Sequence, residues 1–261
     1  MPSEARANAG DIDSYAVQKA ATYTQSDTSG PVFQDAGGFI AVNEDSTGSV
    51  PPTPTIKDPT GATTSMTLFG TQWSVGDDEG TLAALQADPA WQSGGNFKFT
   101  IPTLNAPNTT FTPTLVEVPM VLVAPNIGNT TWNAGDGNLV FNGNVSNTLT
   151  WNTNDGTFYD FVMQGSLGDF ISITGNASDL SLVLPVGTFG VGETYNGYLA
   201  FRNETDDFSQ VPGAVGQAMS YSQTYFGIDV VPEPSTDALL VGGLGILRIV
   251  VQRRKFRRVI S

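Results

Sequence analysis

Two residue types are missing from this chain of 261 residues, which contains no cysteine and no histidine. Without cysteine it can form neither a disulfide framework nor a thiolate metal site. Without histidine the Ser-His-Asp triad, the Cys-His nucleophile and the histidine-ligated zinc site are excluded as well. Carboxylate chemistry is what remains for catalysis, and oxygen ligation is what remains for metal binding.

Positive charge is scarce along most of the chain. Residues 1–230 hold 23 acidic side chains against five basic ones, a net charge of −18, whereas six basic side chains face two acidic ones from residue 231 onward, a net charge of +4. A surface this acidic repels phosphate backbones and anionic lipid headgroups, so we expect no nucleic-acid binding by the body of the protein. The change of sign separates two parts that suit different surroundings.

Short runs of alternating apolar and polar residues fill residues 1–230, a pattern typical of β-strands with one buried face. In NFKFTIP, residues 96–102, the apolar residues are expected to share the buried face. In TLVEVPMVLV, residues 114–123, one face is expected to carry Val116, Val118, Met120 and Leu122, opposite Glu117 and Pro119, where the proline suggests an edge or a bulge. Before the C-terminal segment a helix is predicted only in TLAALQADPA, residues 81–90, ending before Pro89.

These patterns predict an all-β fold, a β-sandwich of the immunoglobulin or fibronectin kind with one or two β-rich units and a single hydrophobic helix at the C-terminus. The Pro-, Asn- and Thr-rich stretch at residues 102–113 marks a boundary between units. We therefore expect an N-terminal tail over 1–11, a β-rich domain over 12–104, a β-sandwich domain over 105–230 and a separate C-terminal segment over 231–261. A single sandwich covering both units is the alternative.

The C-terminal segment combines three elements in order. The first is Pro232, Glu233, Pro234, Ser235 and Thr236, where the prolines impose extended geometry. An apolar run of fourteen residues follows, about 21 Å long as a helix and so a short membrane anchor. Its membrane residues are Ala238, Leu239, Leu240, Leu244, Ile246, Leu247, Ile249, Val250 and Val251. The basic cluster that ends the chain, expected on the cytoplasmic side, is Arg253, Arg254, Lys255, Arg257 and Arg258.

This order of elements, at about residues 230–261, closely resembles the PEP-CTERM sorting signal of Gram-negative bacteria. The resemblance implies that Pro232, Glu233 and Pro234 are recognised by an exosortase, a membrane-embedded cysteine protease that processes its substrates during export. It also implies an exported protein of the cell envelope or extracellular matrix, transiently held in the membrane by its C-terminal helix. The family is associated with extracellular polysaccharide and biofilm formation.

An exported protein is expected to begin with a signal peptide, but residues 1–18 contain no apolar run. Ala7, Asn8 and Ala9 do have the form of a signal-peptide cleavage site. We therefore hypothesise that the true translation start lies upstream and that the signal peptide is missing from this sequence.

Two further functions remain open beside a non-enzymatic, exosortase-sorted protein. One is binding of extracellular polysaccharide, for which Trp132 in a polar loop is the candidate aromatic residue, whereas Trp151 is expected in the core. The other is glycoside hydrolysis by two carboxylates. The candidates for that pair are Asp155, Asp160, Glu193, Glu204, Asp206 and Asp207.

No cofactor is expected, apart from an oxygen-ligated structural calcium ion that would suit the acidic clusters at residues 11–13, 77–79 and 203–207. None of these clusters has the spacing of a known calcium loop, so no ligands are assigned.

Overall fold

The computed structural model describes residues 12–44, 53–92, 94–102, 110–129, 131–153 and 155–232. Within these ranges the chain forms strands, one α-helix, α1 (Leu82–Ala87), and a 3-10 turn at Pro89–Trp91. In chain order the strands are β1 (Ile12–Thr24), β2 (Val32–Glu44), β3 (Thr55–Lys57), β4 (Thr63–Ser65), β5 (Thr67–Phe69), β6 (Gln72–Asp78), β7 (Asn96–Pro102), β8 (Thr110–Phe111), β9 (Thr114–Val116), β10 (Leu139–Asn142), β11 (Asn147–Thr150), β12 (Phe158–Gly165), β13 (Phe170–Asn176), β14 (Ser181–Leu184), β15 (Thr194–Asp207) and β16 (Val215–Val231).

The strands form one large sheet and two small ones. The large sheet has nine strands in the order β13-β12-β15-β16-β1-β2-β6-β5, with β10 also paired to β16. One small sheet has five strands, β4-β3-β7-β8 with β9 on β7, and the other pairs β11 with β14. The all-β fold class predicted from the sequence is therefore confirmed.

Strand β16 is the longest strand and has neighbours on both edges. Along one edge it pairs antiparallel with β15, from Gly216 to Asp229. Along the other edge it pairs in parallel first with β1, from Val215 to Tyr225, and then with β10, from Ile228 to Val231. The first and last described strands of the chain thus lie side by side in the middle of the sheet.

Two apolar cores lie on the same face of the large sheet. In the first core, β1, β2 and β6 pack against β3, β7, β9 and α1. In the second, β10, β12, β15 and β16 pack against β11 and β14. Each core is a layer of apolar side chains between the large sheet and a small one, so the fold is a β-sandwich. The large sheet runs through both predicted units, and the boundary at residue 104 remains a prediction.

The alternation predicted for residues 96–102 is confirmed. In β7 the side chains of Phe97, Phe99 and Ile101 are fully buried while those between them are exposed. Trp151 lies in the second core, as expected. Helix α1 also agrees with the prediction: Thr81 caps it, its Oγ1 accepting from the backbone N of Ala84 at 3.1 Å, and it ends before Pro89.

The orientation predicted for residues 114–123 is right in part. Val118 is buried and Met120 packs against the first core, but Val116 and Leu122 are exposed and Glu117 is buried. Strand β9 ends at Val116, so the alternation does not continue through the whole stretch, and Glu117 turns inward because a buried lysine pairs with it there.

No helix in the described ranges is long and apolar enough to span a membrane. The predicted C-terminal helix and the N-terminal tail over 1–11 lie outside the described residues.

We expect Gly38→Ala to destabilise the protein by about 1–3 kcal/mol, because added volume in a close-packed core forces its neighbours to move. A Cβ on Gly38 would lie 2.0 Å from the buried indole ring of Trp91. The measurement is the free energy of unfolding in urea.

Gly76→Ala on the neighbouring strand β6 is the matched control, since its Cβ would meet atoms only at 3.6 Å and beyond. This variant should be neutral or slightly stabilised. Equal stability of the two variants would contradict the packing argument.

Candidate functional site

A polar seam lies on the inner face of the large sheet, between the two cores. Residues 117–127 cross the sheet here. The hydroxyls of Ser220 and Thr224, on the inner side of β16, donate to the carbonyl oxygens of Pro119 and Pro125 at 2.5 and 2.6 Å. Both side chains are fully buried. The hydroxyls compensate backbone carbonyls that would otherwise be buried without a partner.

A buried ion pair lies in the same seam. The Nζ of Lys19 forms an ion pair with Glu117 and donates to the carbonyl oxygen of Trp91 at 3.3 Å. Lys19 is 2% exposed and Glu117 4% exposed. Burial raises the pKa of Glu117 to about 6, because the loss of hydration outweighs the attraction of Lys19. Lys19 also lines a cavity of about 340 Å³ beside the seam, together with Leu85, Gln86, Trp91, Gln92, Pro119, Met120 and Leu122.

The outer face of the large sheet, on the side opposite the two cores, carries aromatic and polar side chains. Strand register puts Tyr221 of β16 beside Ala20 of β1, and Ala20 beside Gly37 of β2. In the adjacent row Gln18 of β1 lies beside Phe39 of β2. Two rings on strands separated by β1 therefore flank a part of the sheet where the side chains are small.

This arrangement creates a cleft of about 190 Å³, which we call the outer cleft. Ala20 and Gly37 form its floor and Tyr221 and Phe39 its aromatic walls. Gly37 matters because any side chain there would meet the backbone oxygen of Asp77 at 2.5 Å and would fill the floor. The complete lining is Gln18, Ala20, Thr22, Asp35, Ala36, Gly37, Gly38, Phe39 and Tyr221.

More aromatic rings continue from the outer cleft across the sheet. Tyr225 follows Tyr221 on the same side of β16, and its ring packs edge-on against that of Tyr198, at a centroid separation of 5.6 Å. The pKa of Tyr221 is raised, mainly by burial and secondarily by Tyr225 and Tyr198. The amide of Gln223 donates to the hydroxyl of Tyr225 at 2.9 Å.

The positive charge on this face is neutralised. Arg202, which pairs with Tyr221 across β15 and β16, contacts Asp160 at 2.7 Å and forms a second ion pair with Glu204. Its guanidinium also lies 5.3 Å from the ring centroid of Phe158. Arg202 is therefore compensated within the sheet, which leaves little free positive charge for an anionic ligand.

Trp132, the aromatic residue predicted for ligand binding, is half-buried and packs against the second core. Its indole Nε1 donates to the carbonyl oxygen of Asn129 at 2.8 Å, and its backbone bridges to Leu139. The structure does not bring it to the outer cleft, and its role in binding remains a prediction.

Each of the six carboxylates predicted for a glycosidase pair accepts a hydrogen bond or forms an ion pair within the sandwich. Asp155 accepts from the backbone N of Leu122 and of Val123 at 3.0 and 3.2 Å, and buried Glu193 accepts from the hydroxyl of Tyr195 at 2.5 Å. Only Asp160 and Glu204 share a partner, Arg202. Of the remaining two carboxylates, Asp206 accepts a hydrogen bond from Gln217, and Asp207 accepts hydrogen bonds from Ser209 and Gln210.

One cluster of three acidic side chains in the described ranges has a geometry that could hold a metal ion. Carboxylate oxygens of Asp77, Glu79 and Asp88 lie within 4.8 Å of one another. Partial burial, then the hydrogen bond with Asp88, raises the pKa of Glu79. The oxygen donors suit a hard cation such as calcium, and Asp88 joins residues of the predicted cluster 77–79 only through the tertiary fold.

Of the predicted sorting residues, Pro232 is exposed and directly follows the end of β16 at Val231. Residues 233–261 lie outside the described residues, and with them the rest of the motif, the predicted membrane segment and the basic cluster. Their roles remain predictions.

Sequence reasoning missed both the seam and the outer cleft. The signal for the seam was Lys19, a basic residue in phase with the buried side of YAVQKAATY, residues 15–23. The signal for the cleft was the pair Gly37 and Gly38 inside an otherwise regular strand, where glycine commonly marks a close approach or a missing side chain.

No protein-family model matches this chain, and no curated protein matches it by sequence. Among solved structures, a segment of two fibronectin type-III domains from chicken tenascin is similar at 10% identity over 84% of this chain and 99% of its own length, with a TM-score of 0.29. The FN1–FN3 domains of chicken CNTN1 are similar at 11% identity over 86% of this chain and 67% of theirs, with a TM-score of 0.23. Superpositions this weak support no conclusion about function, which has to be judged from the residues of this chain.

We expect the stability contributed by Glu117 to fall as the pH rises. Its pKa is raised from 4.5 to about 6 in the folded protein, so its contribution is fully present below pH 4.5 and lost as the pH passes about 6. The loss amounts to about 2 kcal/mol. It is measured as the difference in free energy of unfolding between wild type and Glu117→Gln, in urea, on the two sides of this pH range.

In Lys19→Met the pH range over which the contribution of Glu117 is lost should extend to higher pH. The loss of hydration that raises the pKa of Glu117 is then no longer opposed by the positive charge of Lys19. Wild-type and Glu117→Gln stabilities that run parallel over the whole pH range would refute the assignment.

Proposed function

We propose that this chain is an exported, non-enzymatic surface or extracellular-matrix protein of a Gram-negative bacterium, sorted by an exosortase through its C-terminal segment. The observation that carries the proposal is the order of three elements after residue 231. Pro232, Glu233 and Pro234 come first, then the apolar run, then the cluster at residues 253–258. Each element has a physical role in the proposal: an extended recognition sequence, a membrane segment and a cytoplasmic anchor.

The position of the motif relative to the sandwich supports the proposal. Strand β16 pairs with β10 as far as Val231, and the next residue, Pro232, is exposed. A proline cannot donate to a sheet, so it suits the end of the strand. Cleavage within residues 232–234 would therefore leave every described strand of the body intact, and the released product would be a folded domain.

The distribution of charge is also consistent with this topology. The body carries −18 and would be repelled by an anionic membrane surface, while residues 231–261 carry +4. Contact with the membrane would thus depend on the C-terminal segment alone, and removal of that segment would release the body. Within the same proposal the body belongs to the broad immunoglobulin- or fibronectin-like class of β-sandwiches, which we base on its strand content and its two layers.

The side-chain chemistry of the body favours binding over catalysis. The chain has no histidine and no cysteine, and each of the six carboxylates considered for a glycosidase pair accepts a structural hydrogen bond or ion pair, such as that of Asp160 with Arg202.

The intact mass of the mature protein from its native cells tests the proposal. We expect the chain recovered from the medium to end at residues 232–234, because the exosortase would act at the extended Pro-Glu-Pro sequence. Replacing Pro232, Glu233 and Pro234 together by alanine should leave the full-length chain in the membrane fraction.

The control is Pro212→Ala, which changes an exposed proline within the body and should be processed like the wild type. A wild-type protein that keeps residues 253–258 in both fractions would contradict processing and would make the segment a permanent anchor.

A further inference from the structure

We propose that the outer cleft between Tyr221 and Phe39 binds a neutral polysaccharide chain. The site is formed entirely by described residues of the sandwich and shares none with the C-terminal segment, so it goes beyond the proposed sorting. Its floor, walls and polar groups each match one property of such a ligand.

The aromatic walls match the apolar faces of sugar rings. Phe39 is 36% exposed and Tyr225 42% exposed, and an exposed ring on a rigid sheet can stack against C–H groups. Tyr221 and Phe39 lie on strands separated by one strand and in adjacent rows two residues apart, which places their backbones about 12 Å apart. That separation exceeds a single sugar ring, so successive rings of one chain could contact the two walls.

The polar groups around the floor match sugar hydroxyls, which both donate and accept. The amide of Gln18 has no side-chain hydrogen-bond partner among the described residues, so it is free for a ligand. The hydroxyl of Thr22 contacts only the backbone oxygen of Asp35, at 3.3 Å. Oδ1 of Asp35 accepts from the backbone N of Ala36 at 2.8 Å, which leaves its second oxygen available. A pocket with apolar walls and a few polar groups is the usual form of a small-ligand site.

Charge selects a neutral polymer over an anionic one. Asp35 lines the cleft, and the nearest cation on the same face, Arg202, is paired with both Asp160 and Glu204. An anionic chain would be repelled by Asp35 and by the net negative charge of the body, and no unpaired cation among the described residues of the cleft would compensate. Hydroxyl groups of a neutral chain carry no such penalty.

The shape of the face favours an extended chain over a single sugar. Phe39, Tyr221, Tyr225 and Tyr198 form a diagonal line of rings across β2, β16 and β15, as the register requires. The cleft is shallow, with a volume of about 190 Å³. A ligand that gains little from enclosure has to gain affinity by contacting several rings in succession, which a chain does.

Affinity electrophoresis of the purified full-length protein in mild detergent tests the proposal. The gels contain hydroxyethylcellulose, a soluble β-1,3-glucan or galactomannan as neutral polymers, and alginate as the anionic one. We expect at least one neutral polymer to retard the protein and alginate not to. Tyr221→Ala and Phe39→Ala should each weaken the binding by about tenfold or more, through loss of a stacking wall. Ala20→Leu should do the same by filling the floor while leaving both rings in place.

The matched control is Phe170→Ala, which removes another exposed ring from the large sheet, on edge strand β13. It should bind like the wild type, and Tyr221→Phe should keep most of the affinity because the ring is retained. Equal urea midpoints for all variants would show that binding, and not folding, has changed.

Three outcomes would overturn the proposal: no retardation by any of the neutral polymers, unchanged binding in Tyr221→Ala, Phe39→Ala and Ala20→Leu, or binding that is lost only in Trp132→Ala. None of these outcomes affects the test of C-terminal processing, because the binding experiment does not require an exosortase.

Discussion

The fold depends on the backbone hydrogen bonds of β16 being satisfied along both of its edges. This strand of 17 residues pairs with β1 of the first core and contributes Phe226, Ile228 and Val230 to the second. A buried strand cannot leave a row of amide and carbonyl groups unpaired. Strand β15 fills one edge from end to end. The other edge requires two strands in succession, β1 from the start of the described chain and β10 from its middle. The pairing of β1 with β16 is therefore what brings the first unit and the last strand into one sheet.

A consequence of two cores under one sheet is the polar seam between them. The chain has to cross the inner face there, and its backbone carbonyls need partners, which Ser220, Thr224 and Gln25 supply. Gln25 pairs with Ile127 through both ends of its amide, accepting from the backbone N at 2.8 Å and donating to the carbonyl at 3.0 Å. The buried pair of Lys19 and Glu117 adds little net stability, since desolvation offsets attraction. Another register of the crossing segment would separate the two groups and leave a buried charge without its partner.

A second consequence concerns the other face of the same sheet. Because both cores lie on one side, the outer face carries exposed rings and polar groups in rows set by strand register. The strand that carries Tyr221 and Tyr225 also ends at Val231, directly before Pro232, where the proposed sorting motif begins. In the proposed function the tail and the outer cleft thus belong to different stages. The tail would act during export and be removed, while the cleft would remain with the rigid sandwich that reaches the matrix.

Local pattern was enough to predict a chain built of strands, the buried side of β7 and the helix that begins after Thr81, because period-two alternation and capping act within a few residues. It failed at Glu117, whose burial is set by its pairing with Lys19. The sequence by itself determined the all-β class, the acidity of the body and the order of the C-terminal elements. Only the tertiary structure decided that Tyr221 and Phe39 flank one cleft and that Lys19 meets Glu117. Residues so far apart in the chain are brought together by strand register and burial, which depend on hydrogen bonds between distant segments and leave no periodic trace in either segment alone.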